Sequence, residues 1–128
     1  MTDRSDTPQK PAAPRKGLLH AVDATGYSIA GFRRLMQESA ARQELLLAVA
    51  GLALLLWADA TLAQFGIFAI LFLILLATEA LNTAIEVLVD RISPEWSQMA
   101  KDAKDLGSLA VGLVIAATLG FLGWVVIF

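Results

Sequence analysis

Apolar residues are concentrated in three runs along the chain, at residues 45–58, 62–88 and 106–128. A helix needs about 20 mostly apolar residues to cross the roughly 30 Å hydrocarbon core of a bilayer. The third run has this length without a charge, and the second holds its polar residues mainly toward its C-terminal end. The first reaches it if the helix begins near Ser39. The pattern predicts membrane-spanning helices at about 42–58, 62–90 and 105–128.

The segment before the first span has the pattern of an amphipathic helix. Apolar side chains recur at helical spacing from Val22 to Met36, whereas Asp23, Arg33 and Arg34 mark a polar side. We predict a helix at about 17–41 that lies on the cytoplasmic membrane surface. Residues 1–16 contain three prolines and no apolar run, which is typical of a disordered tail. The predicted fold class is all-α and integral to the membrane, with a tail at 1–16 and one domain at 17–128.

The basic residues predict the orientation of the spans. All ten Lys and Arg residues lie before position 43 or between positions 91 and 104. Because basic loops stay in the cytoplasm, the N-terminus and the 91–105 loop are expected inside, and Phe128 is expected outside. Trp57 and Trp124 then both fall at the outer interface, where an aromatic belt is typical. The two signals predict the same topology.

The composition supports a membrane protein and excludes several kinds of functional site. The chain is 57% hydrophobic and 17% charged, against about 45–50% apolar residues in soluble domains. Cysteine is absent, which excludes disulfides, thiolate metal sites and cysteine nucleophiles. The glycine-rich signatures of common nucleotide-binding folds are absent as well.

The third span carries small residues at every fourth position. Ser108, Gly112, Ala116 and Gly120 form a strip on one helix face. Such a strip lets a second helix backbone approach closely in a membrane. Chance in a helix rich in Ala and Gly explains the strip equally well.

The cytoplasmic half of the second span carries a polar stripe. Glu79, Asn82, Glu86 and Asp90 follow one another at three- and four-residue spacing, so they share one helix face. A charged residue near hydrocarbon costs at least roughly 2.5–3.5 kcal/mol, so several on one face indicate partners or a function. Basic side chains of neighbouring helices would make the stripe structural. A divalent cation such as Mg²⁺, which prefers carboxylate oxygens, would make it a functional site.

Charged residues from two further segments can complete this site. Glu38 and Glu44 flank the start of the first span, and the 91–105 loop supplies Lys101, Asp102, Lys104 and Asp105. Cations beside carboxylates at a membrane surface suit phosphate groups bound with a metal ion. The residues themselves therefore predict a carboxylate–cation site and leave the reaction open.

At these residues the sequence resembles the small prokaryotic integral-membrane diacylglycerol kinases, over about residues 17–128. The string E-x-L-N-[ST]-A-I-E-x₃-D combined with A-K-D-x-G-S is highly specific to that family. The matching segments are Glu79-Ala-Leu-Asn82-Thr-Ala-Ile-Glu86 with Asp90-Arg-Ile, Ala103-Lys104-Asp105-Leu-Gly107-Ser108, Gly26-Tyr27-Ser28 and Arg42-Gln43-Glu44.

The resemblance implies a homotrimer in the bacterial inner membrane, with active sites shared between subunits and no nucleic-acid partner. It also implies transfer of the γ-phosphate of ATP to diacylglycerol, with Mg²⁺ as cofactor. By motif, Glu79 resembles the general base, with Asn82 beside it, and Glu38 and Glu86 resemble the metal ligands. The nucleotide-binding residues implied are Tyr27, Glu38, Glu86, Glu95, Trp96, Ser97, Lys104 and Asp105. The lipid-binding residues implied are Arg42, Gln43, Glu44, Glu79 and Ser108.

Two other functions remain open at this point. A sister group phosphorylates undecaprenol, although Leu106-Gly107-Ser108 after Lys104-Asp105 favours the diacylglycerol branch. A subunit of a proton-coupled transporter would also need carboxylates in the membrane, but it would place them near the middle of the bilayer. The predicted site lies at the cytoplasmic end of the second span, which favours the kinase.

Overall fold

The computed structural model describes residues Gly17–Phe128, and the predicted tail at 1–16 lies outside them. All regular structure in the described chain is α-helical. Three of the helices are long and apolar enough to cross a membrane, which confirms the predicted fold class of an all-α protein with three candidate spans. In chain order the helices are α1 at Leu18–Leu35, α2 at Ser39–Trp57, α3 at Leu62–Ile92 and α4 at Gln98–Ile127.

The break between the first two helices lies a few residues before the predicted boundary between 17–41 and 42–58. Helix α1 ends at Leu35, and α2 begins at Ser39 after Glu38 turns to an extended conformation. The last residues of the 17–41 range therefore belong to the start of the first candidate span. Arg34 and Glu38 form an ion pair across this break.

Helix α2 ends in a Schellman motif at Ala58. The N–H groups of Asp59 and Ala60 donate to the carbonyls of Leu56 and Leu55, at 3.3 and 3.0 Å. Asp59 has a φ of 50°, in the left-handed region that this motif requires at that position. The motif satisfies the last carbonyls of α2 and reverses the chain within a few residues.

Hydroxyl side chains begin the two longest helices. Thr61 accepts a hydrogen bond from the backbone N–H of Gln64, whose side chain in turn accepts from the Thr61 N–H, so α3 starts with a capping box. Ser97 accepts from the N–H of Ala100 at 3.2 Å and caps α4. Because this cap precedes the apolar run at 106–128, α4 begins well before the residues that hydrocarbon requires.

Helices α3 and α4 are longer than a bilayer needs, and this length positions the polar residues. Helix α3 has 31 residues and is therefore about 46 Å long at 1.5 Å per residue. Its C-terminal turns and the first turns of α4 pack side by side, which brings Asp90 close to Lys104. These polar turns form a platform beside the apolar part of the bundle.

The buried core lies near the tight turn, at the opposite end from this platform. Its buried cluster consists of Leu55 from α2, Phe68 from α3, and Leu122 and Val125 from α4. The Phe68 ring packs directly on Gly51 of α2, where a Cβ atom would overlap the ring. This end of the bundle therefore joins α2, α3 and α4 through close apolar contacts.

The small-residue strip faces away from the other helices of the chain. Ser108, Gly112, Ala116 and Gly120 are all exposed, whereas Gly107, Val111, Thr118 and Leu122 form the buried face of α4. The strip is therefore open to lipid or to another helix.

Candidate active site

Four carboxylates come together between α2 and α3. Glu38 precedes the first turn of α2, Glu44 lies one to two turns into it, and Glu79 and Glu86 project from α3. Glu44 and Glu79 are each only 4% exposed. Glu79 lies within electrostatic range of the other three carboxylates. Like charges this close repel one another unless a proton or a cation is shared among them.

Asn82 is held between this cluster and helix α4. Its Nδ2 atom donates a hydrogen bond to Glu86 Oε1 at 3.1 Å, which orients the Glu86 carboxylate. Its Oδ1 atom lies against Gly107 of α4, where a Cβ atom would overlap it. Within the described residues, Oδ1 has no hydrogen-bond partner, and the same holds for both carboxylate oxygens of buried Glu44. Buried polar atoms without partners are uncommon and point to a site that binds something further.

Gly107→Ala is expected to lower kcat by about 10²-fold, because the added methyl group must displace the Asn82 amide. The hydrogen bond from Asn82 to Glu86 would break or lengthen, and the carboxylate would lose its orientation. Steady-state kinetics in mixed micelles measures this effect. Gly123→Ala is the matched control, since a Cβ atom at Gly123 of the same helix meets no neighbour within 4 Å. Equal activity of the two variants would remove Asn82 from the site.

A polar cavity of about 420 Å³ opens where α3 ends and α4 begins. Hydrogen bonds shape its loop, since the hydroxyls of Ser93 and Ser97 lie 2.9 Å apart and Ser93 also donates to the carbonyl of Glu95. The residues with polar or aromatic side chains around it are Asp90, Ser93, Glu95, Trp96, Ser97, Lys101, Lys104 and Asp105. Five residues predicted to bind nucleotide thus share one cavity.

Lys104 connects this cavity to the carboxylate cluster. Its ammonium group forms an ion pair with Asp90, which joins α4 to α3. Lys104 also lies within electrostatic range of Glu86. A phosphate group between the cavity and the cluster would therefore meet a cation on one side.

An apolar groove of about 740 Å³ lies on another side of α3, between it and helix α1. Small and aliphatic residues from Leu76 to Leu88 form its floor, and Phe32 and Leu35 form part of its wall. Arg34 lies at the groove and pairs with Glu38 of the carboxylate cluster. A linked series of charged side chains thus joins an apolar groove to a polar cavity.

Four of the residues predicted to bind substrates line neither the polar cavity nor the apolar groove of the single chain. Tyr27 on α1 is 76% exposed, and Arg42 and Ser108 are also exposed and line neither the cavity nor the groove. Gln43 lines a smaller pocket of about 240 Å³ with Glu44, against α4. The roles of these residues remain predictions.

The carboxylates fit a metal ion that arrives with its phosphates. Among the Asp, Glu and His side chains of Gly17–Phe128, no three are arranged as a ready-made metal site. Mg²⁺ is usually held by one or two carboxylates, with substrate phosphates and waters completing its shell. Glu38 and Glu86, which both act on Glu79, match this requirement.

The resemblance implies no role for three further side chains of the site. Arg34 pairs with Glu38, Asp90 pairs with Lys104, and Lys101 lines the cavity beside Lys104. Lys101 is already among the charged residues that the sequence offers to the site, and its position three residues before Lys104 puts both lysines on one helix face.

Buried carboxylates beside a lysine-bearing cavity, at the end of three apolar helices, fit the class of small membrane enzymes that act on phosphate groups. Comparison with known proteins agrees, since the model of the family "Prokaryotic diacylglycerol kinase" matches residues 26–128. The chain belongs to the prokaryotic diacylglycerol kinase family, and it is therefore a kinase.

Relatives from several bacteria support this assignment. A diacylglycerol kinase of a Sinorhizobium species is 45% identical over 118 residues, covering 92% of this chain and 86% of the relative. That of Pseudomonas aeruginosa is 39% identical over 101 residues, covering 78% and 82%. That of Escherichia coli K12 is 31% identical over 112 residues, covering 87% and 90%. The names of these relatives give no support to the undecaprenol alternative, and the transporter alternative does not fit a kinase family.

Proposed function

We propose that this chain transfers the γ-phosphate of MgATP to diacylglycerol at the cytoplasmic face of the membrane, giving phosphatidic acid and ADP. One observation carries the proposal beyond the family. Charged side chains, each within electrostatic range of the next, extend from Arg34 at the apolar groove, through Glu38, Glu79 and Glu86, to Lys104 at the polar cavity. A lipid with a headgroup hydroxyl fits the groove, and a nucleotide fits the cavity.

Glu79 is the general base in this proposal. The hydroxyl oxygen of diacylglycerol bonds to the γ-phosphorus of ATP, the bond from that phosphorus to the β–γ bridging oxygen breaks, and the hydroxyl proton passes to the Glu79 carboxylate. A positioned carboxylate within hydrogen-bond reach contributes about 10²–10⁴-fold to such a step. Burial of Glu79 at 4% exposure keeps water away from the reacting groups.

The remaining residues position the nucleotide. Glu38 and Glu86 would hold Mg²⁺, with Asn82 orienting Glu86 through its hydrogen bond. Mg²⁺, when bound, neutralises charge on the phosphate oxygens, which is the main requirement of phosphoryl transfer. Lys104 supplies a cation to the phosphates once it leaves Asp90. Trp96 and Glu95 line the cavity where the nucleoside would lie.

The direct test is lipid phosphorylation by the purified protein in mixed micelles with radiolabelled ATP. Diacylglycerol should take up label only when Mg²⁺ is present, and undecaprenol should take up much less. Faster labelling of undecaprenol would move the chain to the sister activity. If neither lipid is labelled, the proposed reaction is wrong.

We further propose that the protein is a multi-pass protein of the bacterial inner membrane, with a cytoplasmic N-terminus. The distribution of all ten basic residues supports this orientation. A reporter fused after Phe128 should therefore be active only outside the cytoplasm, and a reporter in the 91–105 loop only inside. Cytoplasmic activity of the reporter after Phe128 would reverse the proposed topology.

A homotrimer with shared active sites is the proposed assembly. Two features of the single chain support contacts with further copies. Buried oxygens of Glu44 and Asn82 lack hydrogen-bond partners within Gly17–Phe128, and the small-residue strip of α4 is exposed.

Gly112→Leu is expected to shift the oligomer toward smaller species, because a large side chain separates backbones that meet closely along the strip. Mass measurement in detergent would report the change. Ala117→Leu adds similar bulk on the same helix outside the strip and serves as the control. An unchanged mass for Gly112→Leu would assign the strip to lipid contact.

A further inference from the structure

The cavity between α3 and α4 contains a second lysine, which the sequence offers only as one of several charged residues and to which the resemblance assigns no nucleotide contact. Lys101 lies one turn before Lys104, and both line the cavity together with Trp96. We propose that Lys101 is a second phosphate-binding residue, whose ammonium group contacts the polyphosphate of the nucleotide beside Lys104. This inference rests on the proposed function, which places ATP in this cavity.

The geometry gives the two lysines separate positions. Residues three apart on a helix are neighbours on its surface, so both side chains leave α4 toward the same cavity. Each ammonium group has its own aspartate, since Lys101 pairs with Asp105 along α4 and Lys104 pairs with Asp90 across to α3. The aspartates hold the two cations at different places in the cavity. Two phosphates of one nucleotide can therefore each meet a cation.

The existing ion pairs are weak enough for a nucleotide to replace them. The side chains of Lys101 and Asp105 are 54% and 61% exposed, so solvent screens their attraction. A polyphosphate carries several negative charges and accepts more hydrogen bonds than one carboxylate does. Exchange of Asp105 for phosphate at Lys101 is therefore favourable when ATP binds.

A purely structural role for Lys101 is the competing explanation. An exposed ion pair at i, i+4 on a helix contributes little to stability, because solvent screens it. Replacement of Lys101 should then leave folding and nucleotide affinity almost unchanged. A nucleotide contact predicts a different result, because MgATP affinity falls while the thermal stability of the protein stays the same.

The test is Lys101→Gln in the full-length protein, assayed for diacylglycerol phosphorylation in mixed micelles. We expect the KM for MgATP to rise about five- to tenfold, as for loss of one charge-assisted hydrogen bond. The kcat and the KM for diacylglycerol should stay within about twofold of wild type. Lys101→Arg, which keeps the charge, should restore most of the affinity. Arg91→Gln is the matched control, since Arg91 is an exposed cation nearby that does not line the cavity.

Binding without turnover separates a direct contact from an effect through Asp105. MgADP should change the fluorescence of Trp96, which lies in the cavity, and Lys101→Gln should weaken that titration by the same five- to tenfold factor. The loss of MgADP affinity should persist when Lys101→Gln is made in an Asp105→Asn background. If the loss vanishes in that background, Lys101 acts only through Asp105 and the proposal is overturned.

Lys104→Gln distinguishes failure of this inference from failure of the proposed function. If Lys104→Gln loses MgATP affinity while Lys101→Gln stays within twofold of wild type, Lys101 is a surface residue and the kinase mechanism stands. If neither variant alters the MgATP dependence, the nucleotide does not bind in this cavity, and the role proposed for Lys101 is overturned with it.

Discussion

Glu79→Gln is expected to lower kcat for diacylglycerol phosphorylation by about 10²–10⁴-fold, with little change in the KM for MgATP. The amide keeps the shape of the side chain but cannot accept the proton of the lipid hydroxyl. The proposed metal ligands Glu38 and Glu86 remain in place, so nucleotide binding should be preserved. Steady-state kinetics with separate variation of MgATP and diacylglycerol measures both effects.

The position of Glu79 gives the reason for expecting a large effect. It is almost fully buried on α3 and lies within electrostatic range of the proposed metal ligands Glu38 and Glu86, so the proton acceptor and the metal-bound phosphates would share one site. Asp59→Asn is a suitable control, because Asp59 lies at the turn between α2 and α3 and Asn tolerates its left-handed conformation. Retention by Glu79→Gln of more than about a tenth of wild-type kcat would exclude Glu79 as the base. Asp90 and Asp105 would then be the next candidates.

Hydrophobic runs predict which helices exist but not where each one ends. The run at 106–128 marks the apolar part of α4, yet the helix begins eight residues earlier, at Gln98, because Ser97 caps it. Helix α1 ends at Leu35, and α2 begins at Ser39 after the extended residue Glu38. These ends depend on local capping hydrogen bonds, which a hydropathy pattern does not record.

The polar stripe on α3 illustrates what helical spacing can predict within a site. Glu79, Asn82 and Glu86 share a face as their spacing predicts, and the hydrogen bond between Asn82 and Glu86 follows from i, i+4 geometry. Contacts across helices are different, because they depend on the register between α3 and α4. That register follows from side-chain packing, such as the close approach of Asn82 to Gly107, and it decides that Lys104 pairs with Asp90. Spacing along one helix contains no such information.

Some residues that the motifs assign to the site are not placed there by the single chain. Tyr27, Arg42 and Ser108 belong to matching segments, but in the single chain they are exposed and line neither the cavity nor the groove. A sequence motif can indicate the role of a residue, but it does not give the residue's position relative to the rest of the site. A site shared between subunits also needs contacts that one chain does not contain. The proposed trimer would explain both their exposure and the unpartnered oxygens of Glu44.

Glu86→Gln is expected to weaken the apparent affinity for Mg²⁺ by at least about tenfold and to raise the KM for MgATP with it. A neutral amide is a poorer ligand for a hard cation than a carboxylate. The hydrogen bond from Asn82 leaves one carboxylate oxygen engaged and the other free for the metal. Titration of activity with Mg²⁺ at fixed ATP measures the change, again with Asp59→Asn as the control.

Glu38→Gln should have the same kind of effect through a different contact. Glu38 pairs with Arg34, so in the absence of metal this carboxylate is neutralised by a cation at the edge of the lipid groove. Loss of the carboxylate removes a proposed metal ligand, so the Mg²⁺ requirement should change. It also releases Arg34 at the apolar groove, so the KM for diacylglycerol should change as well. Glu86→Gln should leave the KM for diacylglycerol close to wild type, because Glu86 does not line the groove. A wild-type Mg²⁺ titration in either variant would remove that residue from the metal site.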